Sequence, residues 1–285
     1  MTSTFLVIGA STGLGRATAE TLARTHRVIT VGRHAGADVK ADLRSLDDIA
    51  RAAAELKRFG PFAGIACNAG IQDAGEPNLT PSGIEQTFAV NVLSHIAMLA
   101  HLAPAKGTRI GFVGSGTLDP ENRGARRFGF RGGIYTDVQS LAAGTKDPAV
   151  STVQNARDRY ATSKLCNLLT VRALAKRGVD AFAIDPGLMP GTGLARDYGA
   201  FSRFAWSSLL HVAALAMPGA STATKSGRAF AWALTHAERG SYVDFHRRVV
   251  PIPAVAQRDD QAEQLYTGCL ALTGIADPFT AASPS

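Results

Sequence analysis

Four consecutive apolar residues, Phe5-Leu6-Val7-Ile8, stop at a glycine-rich turn, Gly9-Ala10-Ser11-Thr12-Gly13-Leu14-Gly15, and residues 16–25 then have helical composition. A run that is apolar at every position fits a strand buried on both faces, the mark of a parallel sheet lying between helices. The unit recurs. Arg27-Val28-Ile29-Thr30-Val31 predicts a second strand, Ala41-Asp42-Leu43 a short third, residues 62–67 a fourth, 108–113 a fifth and 179–184 a sixth. Helices alternate with them. Residues 45–59 form one, capped by Ser45 with Asp47 and Asp48 in its first turn, and residues 81–102, with Asn91 and His95, are mostly helical. Strands and helices alternating at this spacing predict an α/β chain with a doubly wound parallel sheet in three layers, α/β/α, and 285 residues suffice for one large domain or two small ones.

Ligands of such sheets sit beyond the carboxyl ends of the strands. Gly9, Gly32, Asn68, Ser115 and Pro186 all fall at those ends. Glycines let a backbone approach a pyrophosphate, and the helix N-terminus behind them faces its charge. Gly9, Ser11, Thr12, Gly13, Leu14 and Gly15 are therefore expected to cradle a dinucleotide. The spacing is G-x-x-x-G-x-G and not G-x-G-x-x-G, and a glycine-rich turn in isolation is often only a tight loop. At the end of the second strand an NAD-binding chain usually carries Asp or Glu for the ribose hydroxyls. Here Gly32 and Arg33 stand there, followed by His34. A carboxylate would repel a 2′-phosphate, whereas a guanidinium pairs with it in a forked geometry. NADP(H) is the expected cofactor, against an ordinary loop arginine. Asp42, with Leu43 beside it, is placed to meet the adenine amino group.

Tyr160 and Lys164 are four residues apart. On a helix that spacing stacks both side chains on one face. A free tyrosine hydroxyl is a poor acid, with a pKa of about 10, and a nearby ammonium lowers it by favouring the phenolate. The pair suits proton exchange with a carbonyl or alcohol oxygen. Y-x-x-x-K is also common by chance, as a surface tyrosine beside a solvated lysine. Thirty basic residues against 23 acidic ones leave a formal charge of +7. That excess suits an anionic ligand such as a nucleotide phosphate, and equally plain surface character. Cys67, Cys166 and Cys269, far apart in apolar surroundings, read as reduced core residues of a cytoplasmic protein. No histidine pair has metal-ligand spacing, so no metal site is expected. The first strand pattern begins almost at once, so no leader is expected. No apolar run reaches the ~20 residues of a membrane span.

In order, Gly9-x-x-x-Gly13-x-Gly15, Asn68-Ala69-Gly70, Asn91, Ser115, Tyr160-x-x-x-Lys164 and Pro186-Gly187 resemble the short-chain dehydrogenase/reductase family from residue 4 to about 190. The resemblance implies a single Rossmann-like domain, over residues 1–277, and hydride transfer at a nicotinamide C4. It implies that Tyr160 is the acid/base and that Lys164 binds the nicotinamide ribose and lowers the tyrosine pKa. Ser115 would hold the substrate oxygen, and Asn91 would support a proton relay. Asn68, Ala69, Gly70, Pro186 and Gly187 would line the cofactor, and Thr192 would touch its amide or phosphates or merely cap a helix. Without the family, Ser115 is a strand-end hydroxyl, Asn91 a helix residue bonded to backbone and His95 a packed helix histidine.

Forty-four residues separate Ser115 from Tyr160, far more than in plain members. This insertion, residues 118–157, resembles carbonyl reductases and the group with retinol dehydrogenases and light-dependent protochlorophyllide reductases. So do Ser163-Lys164-Leu165-Cys166-Asn167 and the tail, Gly240-Ser241-Tyr242-Val243-Asp244 followed by an amphipathic helix over residues 259–274. The cysteine-bearing insert pattern associated with protochlorophyllide binding is not found. The insertion carries Arg123, Arg126, Arg127 and Arg131 around Phe128 and Phe130. A solvated loop is the default, contact with an acidic or aromatic substrate comes next, and nucleic-acid binding is not expected. Residues 165–174 are apolar nearly all round and need a cover. The insertion resembles one that provides it in monomeric carbonyl reductases, so a monomer is favoured and a dimer is the alternative. Residues 188–220 would close over the substrate. Phe201, Phe204, Trp206 and Leu209 there make either a large apolar pocket or ordinary core. Residues 278–285 read as a disordered tail.

The expected activity is an NADP(H)-dependent oxidoreductase that interconverts a ketone or aldehyde and an alcohol on an apolar small molecule. One rival is a reductase of a carbon–carbon double bond, protochlorophyllide reductase-like, with Tyr160 giving its proton to carbon. The other is a non-catalytic NADP-binding sensor or scaffold, whose usual mark is loss of the tyrosine or lysine; both are present.

Overall fold

A computed structural model describes residues 2–189 and 219–280. Seven strands form one sheet: β1 Thr4–Ile8, β2 Arg27–Gly32, β3 Val39–Lys40, β4 Gly64–Cys67, β5 Arg109–Val113, β6 Ala181–Asp185 and β7 Tyr242–Asp244. Every pairing is parallel, in the order β3-β2-β1-β4-β5-β6-β7. β1 meets β2 in the register Thr4↔Arg27 and β4 in the register Phe5↔Gly64. The chain first winds outward through β2 and β3, then returns to β4 on the other side of β1. That reversal opens a crevice at the carboxyl ends of β1 and β4.

Successive side chains of a strand point to opposite faces. Leu6 and Ile8 accordingly enter one apolar core, while Phe5 and Val7 enter the other. The helices are α1 Gly13–Leu22, α2 Leu46–Leu56, α3 Gln86–Phe88, α4 Ser94–Leu102, α5 Arg123–Arg127, α6 Val138–Ala143, α7 Thr152–Lys176, α8 Ala223–His236 and α9 Asp259–Thr273. α1 and α8 pack together over the Phe5 face, and α2, α4 and α7 cover the Leu6 face, with α9 laid against α4 and α7. The result is the expected single three-layer, Rossmann-like domain.

Several boundaries move. The third strand is Val39–Lys40, not residues 41–43. Ala41 N still donates to Gly32 O at 3.1 Å, but Asp42 N turns to the Asp48 carboxylate at 2.6 Å and leaves the ladder. Residues 81–85 are not helical. Thr80 and Ile84 close a turn on each other, and Glu85 caps α3, its carboxylate accepting from Thr87 N and Phe88 N. The three-residue β7 was not expected as a strand. α7 begins at Thr152, so the last six residues of the expected insertion belong to that helix, which Ser151 caps.

The rest of the insertion folds against α7. Ile134 N donates to Thr162 Oγ1 at 3.0 Å, and Val138 of α6 sits against Gly268 of α9. Leu165, Leu168, Leu169, Val171 and Leu174 of α7 are all buried. The sheet lies on one side of them, and this insertion and α9 cover the rest. Asp259 of α9 pairs with Arg172 and Lys176, and Glu263 pairs with Arg177. Exposed ion pairs contribute little, so apolar contact holds α9 in place. Cys67, Cys166 and Cys269 are buried free thiols. Phe279 packs against the core. Residues 281–285, and residues 190–218 with Thr192, Phe201, Phe204, Trp206 and Leu209, lie outside the described residues. Among the described residues no helix is long and apolar enough to cross a membrane, and no group of three His, Cys, Asp or Glu side chains is arranged to hold a metal.

Candidate active site

At the crevice the chain leaves β1 through Gly9, whose φ of +87° suits glycine. A Cβ there would stand 2.6 Å from the Ala69 Cα. Gly15, in the first turn of α1, is tighter still: a Cβ would stand 2.2 Å from Gly9 O and 2.3 Å from Asn68 Nδ2. Asn68 Nδ2 donates to Gly9 O at 2.7 Å, and Asn68 N to Ile8 O at 3.2 Å. The glycine turn and Asn68-Ala69-Gly70 therefore form one packed unit. No acidic side chain occupies the first turn of α1, so its amide groups meet no competing negative charge. This backbone-lined approach to a helix N-terminus fits a dinucleotide phosphate.

Arg33 lies exposed just past β2, without a hydrogen bond or ion pair among the described residues. Asp38, the nearest carboxylate in sequence, is taken by Thr30, whose N and Oγ1 donate to it at 2.8 and 2.7 Å. Asp42 is held by Arg44 through two nitrogens, the shorter contact being 2.6 Å. That guanidinium is the main reason the Asp42 carboxyl sits below its usual pKa, with Arg33 a lesser one. An adenine amino group at Asp42 would have to share it with Arg44. The sequence reading did not single out Arg44, although its spacing of two from Asp42 was visible.

α7 brings Tyr160 and Lys164 onto one face, with Nζ 5.5 Å from the tyrosine ring centroid. Lys164 is 3% exposed. Its Nζ donates to Val113 O at 3.4 Å, and Asn167 Nδ2 donates to the same carbonyl at 2.9 Å. These bonds fasten α7 to the end of β5, two residues before Ser115. Burial lowers the Lys164 pKa to about 8. Ser115 caps a short turn over Gly116–Leu118. Its Oγ accepts from Thr117 N at 3.2 Å and from Thr117 Oγ1 at 3.0 Å. Both bonds use it as an acceptor, which leaves its own hydrogen for a further partner.

Asn91 sits in a wide five-residue turn, Ala89–Leu93, between α3 and α4. Such turns often occur at functional sites. Asn91 is fully buried: Oδ1 accepts from Ile71 N at 2.8 Å, and Nδ2 donates to Ile71 O and to Ser163 Oγ, both at 2.9 Å. Ser163 Oγ in turn donates to Tyr160 O at 2.7 Å. The side chain thus clamps the segment after Gly70 to α7, with two of its three bonds going to the Ile71 backbone and one to the Ser163 hydroxyl. A Cβ on Gly70 would lie 3.4 Å from Asn91 Oδ1 and 3.6 Å from Lys164 Nζ, so the three meet in one corner. His95 is buried behind them. Desolvation, then the Lys164 charge, bring its pKa down to about 3, so the ring is neutral. Neither nitrogen makes a hydrogen bond of ordinary geometry.

Pro186 and Gly187 follow β6. Asp185 Oδ1 accepts from Gly187 N at 2.9 Å, and burial raises this carboxyl above its usual pKa. From the insertion, the Phe130 ring comes 6.2 Å from the Tyr160 ring. Phe130 was expected only within the arginine-rich insertion and Ser163 only within a stretch resembling the family; neither was placed against Tyr160 or Asn91, and Asp185 was given no role.

The family model described as short chain dehydrogenase matches residues 3–119. Protochlorophyllide reductase B, chloroplastic, of Oryza sativa subsp. japonica is 30% identical over 234 residues, 68% of this chain and 57% of the rice protein. The match thus spans less than two thirds of that relative's length. An uncharacterized protein from Mycobacterium Paratuberculosis superposes with a TM-score of 0.69 at 24% identity, over 97% of this chain and 95% of that one. The 3-alpha-hydroxysteroid dehydrogenase from Pseudomonas sp. B-0831, complexed with NADH, superposes with a TM-score of 0.58 at 26% identity, over 85% of this chain and 96% of that one.

Proposed function

The chain belongs to the short-chain dehydrogenase/reductase family, and from that premise we propose that it is an NADP(H)-dependent oxidoreductase interconverting a ketone or aldehyde and an alcohol on an apolar small molecule. The observation that carries this reading is the Tyr160–Lys164 face of α7, locked to the end of β5 beside Ser115. The nicotinamide supplies or accepts the hydride when bound. Tyr160 donates its hydroxyl proton to the substrate oxygen in reduction and takes it back in oxidation. Lys164 holds a positive charge next to that hydroxyl and favours the phenolate. Ser115 donates its remaining hydrogen to the same oxygen, where negative charge develops. Asn91 fixes Ile71 and α7 against each other and so sets the distance between the cofactor side and Tyr160.

The residues present fit a dinucleotide. Gly9, Ser11, Thr12, Gly13, Leu14 and Gly15 would take its phosphates, Arg33 the 2′-phosphate, Asp42 and Leu43 the adenine side, and Asn68, Ala69, Gly70, Pro186 and Gly187 the nicotinamide side. The hydroxysteroid dehydrogenase was solved with NADH, so the fold leaves the choice open. Arg33, unpaired among the described residues, with Asp38 taken by Thr30, supports NADP(H). The covered face of α7 supports a monomer.

A second reading, reduction of a carbon–carbon double bond, is supported by the likeness to the rice protochlorophyllide reductase. Single-turnover NADPH oxidation against a panel of ketones, aldehydes and activated alkenes, with product analysis, tests both. Alcohol products support the first reading and saturated carbon–carbon bonds the second. Stoichiometric NADPH binding without oxidation of any compound sinks both in favour of a sensor.

A further inference from the structure

Arg157 is a half-buried cation with no counter-charge among the described residues. It lies three residues before Tyr160 on α7, so the two side chains leave neighbouring positions on the helix surface. Its guanidinium rests on Gly129 of the insertion, where a Cβ would stand 2.6 Å from Nη1 and 3.1 Å from Cζ. Gly129, at φ +80°, belongs to a compact turn after α5, in which Gly129 N donates to Arg126 O and Phe130 N to Ala125 O. The next residue is Phe130, whose ring approaches that of Tyr160. Arg157, Phe130 and Tyr160 therefore stand together.

Among the described residues Arg157 makes no hydrogen bond or ion pair. Its sequence neighbour Asp158 is taken by Arg131 and by Gln154 Nε2. From residue 122 to 133 the insertion carries four arginines and no carboxylate. Arg123, Arg126 and Arg127 of α5 are exposed and make no ion pair among the described residues. A partly desolvated guanidinium without an anion is unfavourable, and bidentate pairing with a carboxylate removes that cost.

We infer that Arg157, within the positive field of α5, recognises an anionic group on the substrate, and that the compound reacting at Tyr160 is a flat, apolar carbonyl compound bearing a carboxylate. This rests on the Tyr160 face being the reaction site. Three residues of helix advance ~4.5 Å, so the carboxylate and the carbonyl lie about the width of one aromatic ring apart. Phe130 supplies a face for that ring.

4-Acetylbenzoate and its methyl ester are matched probes, because one ring separates their ketone from the acid or ester. Each is titrated calorimetrically into wild type, Arg157→Leu and Arg157→Lys, saturated with the oxidised nicotinamide cofactor. Wild type should bind the acid about tenfold tighter than the ester or better, as bonds to a charged group allow. Arg157→Leu should bring the ratio close to one, and Arg157→Lys should keep part of it. High salt should narrow the wild-type ratio. Cofactor affinity in the same samples reports folding, and if Arg157→Leu fails that check the salt dependence in wild type decides. Equal binding of acid and ester in wild type, binding of neither, or an acid preference undiminished in Arg157→Leu overturns the inference. Single-turnover NADPH oxidation with both ketones separates the two levels. Acid-selective binding without turnover sinks the carbonyl-reductase reading and keeps the anion site, whereas equal turnover and equal binding keep the reductase and sink the anion site.

Discussion

The glycine turn after β1 and the Tyr160 face of α7 lie at the same edge of the sheet and are built in opposite ways. The first is made of backbone. Gly9 and Gly15 are there because no side chain fits against Ala69, Gly9 O and Asn68 Nδ2, and the turn is tied outward through Gly9, whose O accepts from the Asn68 amide and whose N donates to Val31 O. The second is made of side chains drawn from distant parts of the chain. Lys164 reaches Val113, Asn91 joins Ile71 to Ser163, and Phe130 arrives from the insertion. A site of backbone tolerates almost no added atom but contains no buried charge. A site of side chains includes Lys164, buried with no carboxylate beside it among the described residues, and so carries a cost in stability.

The largest effect that would break this contrast concerns the proton. Tyr160→Phe keeps the ring and its packing and removes the donor. Turnover should fall by about 10²–10⁴, the usual scale for general acid–base catalysis, while NADPH affinity stays near wild type. Stopped-flow NADPH oxidation and a binding titration on the same protein check both halves, and near-normal turnover would place the acid elsewhere.

Next in size is the buried charge. The Lys164 pKa of about 8 lies below the 10.5 of a free lysine. The folded chain therefore holds this proton less tightly than the unfolded chain, and the ammonium destabilises the cofactor-free fold at pH 7. The penalty fades as pH rises from about 8 to 10.5. Lys164→Met should stabilise the cofactor-free protein at pH 7 by on the order of 2–3 kcal/mol, lose that gain towards pH 10.5, and lose turnover throughout. Urea denaturation at a series of pH values reads this out, and a flat difference across the series contradicts it.

On the backbone side, Gly15→Ala should cost about 1–3 kcal/mol, the range for overpacking, and weaken cofactor binding with it. Gly36, with nothing within 4 Å of its would-be Cβ, is the control, and Gly36→Ala should change neither. Thermal melts with and without cofactor compare the two. The smallest effect sharpens the contrast at the one position where the backbone site uses an exposed side chain. Arg33→Ala should lower NADPH affinity about tenfold, the lower end for a bond to a charged group, and leave NADH affinity unchanged. Equal affinities of wild type for the two cofactors would remove Arg33 from the site.

What the sequence determined by itself is the part written in short-range pattern. Apolar runs ending in glycine or a small residue set the strands and their parallel pairing, because only strands buried on both faces are apolar at every position. The turn from Gly9 to Gly15 and the four-residue step from Tyr160 to Lys164 were legible because helix and turn geometry relate residues a few positions apart. What the tertiary structure decided joins residues far apart in the chain. Three-residue β7 is too short for its own period and exists because β6 offers it a ladder. The third strand ends at Lys40 because the Asp48 carboxylate, on the next helix, draws the Asp42 amide away. Asn91 meets Ser163 across 72 positions, and Arg157 rests on Gly129, only because α7 and the insertion pack side by side over the sheet. No local spacing encodes such meetings, since they depend on how the whole helix layer seats on the sheet.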